Sequence, residues 1–75
     1  DNLRVEEIVV AAGFAEKKLA ELDVTGRNQI VLALRDGPNW IFNPDPNHLL
    51  RSGMTLVVMA TPEGRHAVEA ALGWV

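Results

Sequence analysis

Thr55–Glu63 reads TLVVMATPE, and this stretch decides the fold class. Its first part, TLVVMA, is apolar and β-branched enough for one strand. Its second part, TPE, has the features of a helix start: a hydroxyl that can cap the N-terminus, a proline at the first helical position and a carboxylate at the positive end of the helix dipole. An apolar stripe and a C-capping glycine follow, formed by Ala67, Val68, Ala71, Leu72 and Gly73. The stretch therefore predicts a strand that leads directly into a helix packed on a sheet.

The N-terminal part of the chain is expected to contain one strand and one short helix. Leu3–Ala12 is rich in Val and Ile, which favours a strand that Gly13 ends. Glu16–Leu22 (EKKLAEL) holds good helix formers and places Leu19 and Leu22 on one face. We expect a helix there that depends on tertiary packing, because so short a helix is marginal on its own.

The middle of the chain predicts a β-hairpin. Asp36-Gly37 is a hairpin signal, and Pro44 and Pro46 stop the returning strand because proline cannot donate to a sheet ladder. We assign a turn to Asp23–Asn28 and a strand to Gln29–Leu34. The returning strand is Asn39–Phe42, and a single helical turn follows at Asn47–Arg51. The predicted order is therefore β-α-β-β-β-α, which is an α+β fold with helices against a small mixed sheet.

Length and composition limit the protein to a few classes. The 75 residues allow a single domain, 1–75, and the 48% hydrophobic and 23% charged residues are typical of a globular chain. The absence of cysteine excludes disulfides and cysteine-ligated zinc, and the net charge of −3 argues against a sequence-independent nucleic-acid binder. Since the chain begins with Asp and not Met, we expect it to be a piece of a longer polypeptide.

Several short motifs, in order, resemble one known family, the RCK C-terminal (TrkA-C) domain. Phe14–Leu22 resembles its short "GK-x-L-x-E-L" helix, and Leu56–Met59 with TPE resembles its closing strand and helix start. Three further pieces are similar to its "R-x-G…NP-x-P…L-x-x-GD" stretch, namely Arg35–Gly37, Asn43–Pro46 and Leu50–Gly53. The chain departs from the family pattern at three positions, where Glu16 replaces Gly, Met54 replaces Asp and Ala60 replaces Gly.

The resemblance implies a non-enzymatic regulatory domain on the cytoplasmic side of a prokaryotic potassium channel or potassium uptake system. In the family this domain follows a Rossmann-like nucleotide-binding RCK domain, pairs as a homodimer and transmits its state to a membrane pore. Some members bind a small effector, a cyclic dinucleotide such as cyclic di-AMP or a divalent cation. Two alternatives stay open: a ligand-free structural dimerisation module, and the same domain attached to another cation transporter such as an antiporter.

Four residues are candidates for effector binding. Arg35, at the mouth of the hairpin, could hold a phosphate in a bidentate fork. Asn39 and Asn43 flank the same hairpin and could read a base edge, and His48 lies in the proline-rich loop, where function tends to concentrate. The alternative is structural: Arg35 pairs with Asp36 or Asp45, the asparagines serve the turns and His48 packs in its loop.

Other chemistry has less support in the sequence. A catalytic triad would need Ser52 to converge with His48 or His66 and an orienting acid, and the alternative is a turn serine and two surface histidines. The ten acidic residues are spread out. Glu6-Glu7 could hold a metal only with symmetry mates across a dimer, and a solvated strand face is the alternative. Trp40 and Phe42 share one strand face, which favours sheet covering or a dimer contact, with base stacking as the alternative. Trp74 could mark a further partner surface.

Overall fold

The computed structural model describes residues 2–22 and 28–74. Within these two ranges, six strands and one α-helix follow one another, and a 3₁₀ turn, Leu19–Glu21, comes directly after the second strand. Their bounds are β1 Arg4–Val9, β2 Lys17–Lys18, β3 Gln29–Asp36, β4 Asn39–Phe42, β5 Leu49–Leu50, β6 Thr55–Ala60 and α1 Pro62–Ala71. Strands β4 and β6 have the predicted bounds. The turn expected at 23–28 lies, except for Asn28, outside the described residues.

The main sheet has four strands in the order β1-β6-β3-β4, and β2 pairs with β5 in a separate two-stranded sheet. Every pairing in these two sheets is antiparallel, so the expected mixed sheet is wrong. The reason is that β1 and β3 run in the same direction but never pair, because β6 lies between them. The TLVVMA strand takes this central place because it is apolar on both faces and can be covered on both sides.

The helix expected over Glu16–Leu22 is not formed. Lys17 and Lys18 instead pair with Leu50 and Leu49, and the 3₁₀ turn follows. The amide nitrogens of Leu19 and Ala20 donate to the carbonyl oxygens of His48 and Pro46, both at 2.8 Å. A long-range backbone pairing has therefore taken the donors that a helix would have used, which a segment with only marginal helical stability permits.

The helical turn expected over Asn47–Arg51 is also wrong. The chain turns at Pro46–Asn47, where the Asn47 amide donates to the Asp45 carboxylate at 2.7 Å, and then enters β5. Leu50 is completely buried in the core and so fixes this short strand. The remaining predicted turn, Asp36-Gly37, is confirmed, with Gly37 at φ 59° in the left-handed region that a tight hairpin requires.

Helix α1 covers one face of the main sheet and closes the hydrophobic core. Val68 and Leu72 are fully buried, whereas Ala67, predicted in the same stripe, is exposed. Both predicted ends are confirmed: the Gly64 amide donates to the Thr61 hydroxyl at 3.0 Å, and Gly73 has φ 102° after the last turn. The buried core consists of Ile8, Val10, Leu22, Leu34, Leu50, Met54, Leu56, Val58, Ala60, Val68 and Leu72.

Among residues 2–22 and 28–74, no helix lies on the opposite face of the main sheet. The register places eleven side chains there, which we call the open face: Val5, Glu7, Val9, Ile30, Ala33, Arg35, Trp40, Phe42, Thr55, Val57 and Met59. Phe42 is 74% exposed, Val5 62% and Ile30 57%. The open face is therefore apolar and solvent-exposed at the same time.

No helix in the described ranges is both long and apolar enough to cross a membrane.

Candidate functional site

Arg35 lies near the end of β3 and is held by three neighbours on the open face. Its guanidinium carbon is 5.5 Å from the centre of the Trp40 ring, in a cation–π arrangement. Its Nη2 atom donates to the Thr55 hydroxyl at 3.5 Å and lies 3.9 Å from Oε1 of Glu7. Both polar contacts are long, whereas 5.5 Å is an ordinary cation–π distance, and the Arg35 side chain keeps 38% of its surface exposed. The guanidinium is therefore held in place while part of its surface stays accessible to solvent.

The strand pattern explains why Arg35 and Trp40 meet. Arg35 faces Trp40 directly across the hairpin, while Leu34 and Ile41, the next pair, point to the core side. A β-bulge between Val31 and Ala33 shifts β3 by one residue, and without it Ala33 and Arg35 would lie on the other face. The hairpin register thus pairs the cation of Arg35 with the ring of Trp40, and the bulge places this pair on the open face.

Trp40 also stacks on a second aromatic ring, that of Phe42. The rings of Trp40 and Phe42 are parallel within 4°, with centroids 5.9 Å apart. Residues two apart in a strand share a face, so this stack follows from the NWIF sequence. A cation beside a flat aromatic platform is suited to a ligand with a phosphate and a planar ring.

The other predicted residues are placed differently. Asn39 pairs with Asp36 at the turn of the hairpin, so it lies at the same end as Arg35. Asn43 is at the opposite end of β4, where its amide donates to Leu32 O at 3.0 Å and its φ of 50° forms the turn out of the strand. About 10 Å of strand separates Leu32 from Arg35. The structure therefore leaves Asn43 apart from Arg35, and it places Asn39 near Arg35 in the hairpin but on the opposite face of the sheet.

His48 belongs to the second sheet. Its amide donates to Asp45 O at 2.9 Å, and its carbonyl oxygen accepts from Leu19 at 2.8 Å. The imidazole is half-buried. Its backbone thus holds β5 beside β2, away from the hairpin turn where Arg35 and Asn39 lie.

The alternative role of Arg35, an ion pair with Asp36 or Asp45, is not what the structure shows. Asp36 pairs with Arg51 at 2.7 Å, and Asp45 accepts from the amide of Asn47. The acidic neighbour of Arg35 is instead Glu7, from β1 on the other side of β6. No local signal could have identified Glu7, because the contact depends on the register of three strands.

The adjacent acids Glu6 and Glu7 point to opposite faces of β1. Glu6 accepts a hydrogen bond from Arg65 of α1, Nη1 to Oε1 at 2.5 Å, while Glu7 lies on the open face. They cannot act as a pair of ligands within one chain. Among residues 2–22 and 28–74, no group of three or more His, Asp or Glu side chains is close enough to hold a metal ion.

Arg65 links α1 to β1 and also bonds within its helix. Nε donates to Glu69 at 3.0 Å, and this bond, together with the charge of Glu6, raises the pKa of the Arg65 guanidinium above its ordinary value. The group is therefore a permanent cation whose two carboxylate partners are structural. Arg65 differs in this respect from Arg35, whose contacts to Thr55 and Glu7 are longer, at 3.5 Å and 3.9 Å.

Comparison with known proteins agrees with this architecture. The family model of the TrkA-C domain matches residues 5–73. The chain also resembles the solved RCK C domain of the potassium transport protein KtrA, in complex with cyclic diadenosine monophosphate, with a TM-score of 0.78 and 21% sequence identity. That alignment covers 93% of this chain and 84% of the KtrA chain, and it shows a shared fold. No curated protein matches the sequence significantly. The match over nearly all of its length, with the same small α+β architecture, shows that the chain belongs to the TrkA-C domain family.

Proposed function

We propose that this chain is a regulatory domain of a potassium transport system, and that it dimerises and binds a small anionic effector of the cyclic dinucleotide class. Family membership supports the regulatory role, and the KtrA domain of the same fold was solved with such a dinucleotide. The observation that carries the effector proposal is Arg35 beside Trp40 on the open face. The guanidinium would bind a phosphate and the indole ring would stack on a base.

Arg35 can change partners at little cost. Its distance to Glu7 is 3.9 Å and both side chains are partly exposed, so this ion pair contributes little to stability. A phosphate offers two charged oxygens in the geometry that a guanidinium prefers. Asn39 lies at the same end of the hairpin but on the other face of the sheet from Trp40, so the proposed site rests on Arg35 and Trp40.

The domain would act by shifting a population of conformations. An effector held between two copies favours one arrangement of the pair, and a preceding nucleotide-binding RCK domain passes that arrangement to the pore. In this proposal the domain lies on the cytoplasmic side of the membrane and performs no catalysis. Its parent is a potassium channel or uptake system.

A ligand panel tests this proposal. Thermal unfolding of the chain would be followed with cyclic di-AMP, cyclic di-GMP, adenine nucleotides and divalent cations at matched ionic strength. A ligand at about 100 times its dissociation constant adds roughly 2.7 kcal/mol, which is several degrees for so small a domain. We expect a shift with a cyclic dinucleotide that Arg35→Ala abolishes.

Arg51→Ala is the matched control for Arg35→Ala. Arg51 is also partly exposed, but it bonds Asp36 at 2.7 Å and lies off the open face. It should retain the ligand shift in full. Equal loss in both variants would mean a general charge effect, and a shift that survives Arg35→Ala would contradict the site.

A ligand-free dimerisation module is the second candidate. One observation favours it: Met54, where the family usually has Asp, is buried in the core and its Sδ accepts from the Arg51 amide at 3.2 Å. A core side chain thus occupies a position where a loop carboxylate is usual. No shift with any ligand in the panel, from a chain that is still dimeric, would establish this alternative.

A further inference from the structure

We infer that the cavity between β1 and the start of α1 is an anion-binding site for a small phosphate-bearing ligand, separate from the proposed effector site at Arg35. The cavity has a volume of about 290 Å³ and is lined by side chains of both elements. Arg4 and Arg65 line it together with Glu6, so two cations and one carboxylate leave one positive charge among the described lining residues. This local charge is opposite in sign to the net charge of the chain, −3.

The alternation of β1 places Arg4 in this cavity. Arg4 and Glu6 are two residues apart in the strand, so both project from the face of the sheet that α1 covers. Arg4 also lies opposite Ala60, the last residue of β6, and Thr61 follows as the cap of α1. The start of one strand, the end of another and the start of the helix thus meet at Arg4.

The guanidinium of Arg4 is available to a ligand. Its side chain is exposed and makes no ion pair or hydrogen bond with any residue that the structure describes. Arg65 is engaged only in part: Nη1 donates to Glu6 and Nε to Glu69, whereas Nη2 has no acceptor among residues 2–22 and 28–74. The cavity therefore holds two guanidinium groups with unused N–H donors, which is the chemistry that binds oxyanions.

The donors of this cavity are side chains and not the start of α1. Pro62 has no N–H. The amides of Gly64 and Arg65 both donate to Thr61, to its hydroxyl at 3.0 Å and to its carbonyl oxygen at 2.8 Å. The helix start thus adds little, and recognition of an anion depends on the arginines.

The number of donors favours phosphate over carboxylate. Asn2 also lines the cavity and adds a neutral amide beside the two arginines. A carboxylate has two oxygens and is satisfied by one guanidinium fork. A phosphate monoester has three terminal oxygens and up to two negative charges, so it can accept from both guanidinium groups and from the amide.

Two other cavities in the described part of the chain lack these cations. Both lie on the outer side of α1 and share His66 and Ala70. Glu63 lines one of them and Glu69 the other, and neither is lined by an arginine or a lysine. An anion there would meet a carboxylate with no cation to offset it. The cavity beside Arg4 is therefore the better anion site.

NMR spectroscopy of the whole 75-residue chain tests the inference. Inorganic phosphate would be titrated at constant ionic strength against sodium chloride, while the backbone amide and arginine Nε–H signals are followed. We expect saturable shifts at Arg4 and Arg65 in the millimolar range. Phenyl phosphate, a monoester, should shift the same signals, and acetate should bind more weakly. Acetate that binds as tightly as phosphate would contradict the assigned ligand class.

Two substitutions should move the affinity in opposite directions. Arg4→Gln removes the free guanidinium and should weaken phosphate binding about tenfold or more. Glu6→Gln removes the carboxylate and leaves Nη1 of Arg65 to the ligand, so it should tighten binding by up to about fivefold. Arg51→Gln is the matched control, because Arg51 is also partly exposed, pairs with Asp36 outside this cavity and undergoes the same change in charge. It should bind phosphate as the unmodified chain does.

The same spectra show that each variant is folded and separate this site from the proposed effector site. Absence of a saturable shift at Arg4 would overturn the inference. So would equal losses in Arg4→Gln and Arg51→Gln, or weaker binding in a folded Glu6→Gln variant. Arg35→Ala should leave the phosphate shifts at Arg4 unchanged. A cyclic dinucleotide that fails to bind, with those shifts preserved, would remove only the effector part of the proposed function.

Discussion

Arg65 of α1 donates to the carboxylate of Glu6 in β1 at 2.5 Å, although the two residues are 59 positions apart in the chain. The contact fixes the helix over the edge strand at the rim of the core. Because Nε of the same guanidinium bonds Glu69, the arginine is held from two sides. The pair thus ties α1 to β1, in addition to the backbone bond from the Ala11 amide to Leu72 O at 3.0 Å at the end of the helix.

Removing the Arg65 charge should lower stability in a salt-dependent way. Arg65→Gln loses both carboxylate contacts, so its urea midpoint should be lower than that of the unmodified chain, and the difference should shrink as NaCl is raised. Arg51→Gln, which breaks the exposed pair with Asp36, serves as the comparison and should have the smaller effect. A midpoint unchanged in Arg65→Gln would show that the two carboxylate contacts of Arg65 contribute nothing to stability.

The same pair has a predictable dependence on pH. The raised pKa of Arg65 means that the folded state holds this proton more tightly than the unfolded chain does. The resulting stabilisation is complete below the ordinary arginine pKa and is lost only as the pH rises through the raised value. The difference in unfolding free energy between the unmodified chain and Arg65→Gln should therefore be constant from about pH 7 to pH 10. A difference that declines within that range would contradict the assignment.

The hydroxyl of Thr61 should contribute measurably as the cap of α1. Thr61→Ala removes the acceptor of the Gly64 amide and should lower the free energy of unfolding by about 1 kcal/mol. Thr61→Ser retains the hydroxyl and should stay close to the unmodified chain. Urea unfolding of the three proteins measures this, and equal stability of the Ala and Ser variants would exclude a capping role.

Gly64 should tolerate no larger residue. A Cβ at this position would lie 2.1 Å from Asn28 O, a backbone atom that accepts from the Thr61 amide at 2.9 Å. Gly64→Ala should therefore destabilise the chain by about 1–3 kcal/mol, as overpacking does. Helix propensity alone predicts the opposite sign, a gain of up to about 1 kcal/mol. Denaturant unfolding distinguishes the two, and a stabilised variant would disprove the close approach of Asn28.

Trp74 should stabilise the end of β1 through its indole nitrogen. Nε1 donates to Val9 O at 2.6 Å, so Trp74→Phe keeps an aromatic ring but loses the bond. The expected cost is about 0.5–1.5 kcal/mol. Trp40→Phe is the comparison at the same low protein concentration, because the Trp40 ring contacts Phe42 and Arg35 through its face. A larger loss from Trp40→Phe than from Trp74→Phe would contradict this account.

Local signals were sufficient for the last strand and the helix that follows it. The TLVVMATPE stretch predicted β6, the Thr61 cap and the start of α1, and Gly73 marked its end, because capping and left-handed backbone are decided by a few adjacent residues. The same reasoning failed for Glu16–Leu22. There the helix formers were outcompeted by backbone bonds to Pro46 and His48, which are remote in the sequence.

The candidate site divides in the same way. Arg35 could be identified as the cation of the site from the sequence, because it directly precedes a recognisable hairpin turn. The spacing of Trp40 and Phe42 was likewise enough to place both rings on one face. The pairing of Arg35 with Glu7 across β6 could not be predicted, because it needs the order of the strands and the bulge in β3. For the same reason the separation of Asn43 and His48 from Arg35 became visible only in three dimensions.

The sequence by itself determined the α+β class, the family and the Asp36-Gly37 turn. The turn depends on the local steric and hydrogen-bonding preferences of neighbouring residues. Only the tertiary structure decided which strands pair beyond the hairpin of β3 and β4, which residues share the open face and which acid accompanies Arg35. Those features depend on register, and a shift of one residue would exchange the two faces of a strand without changing any local preference.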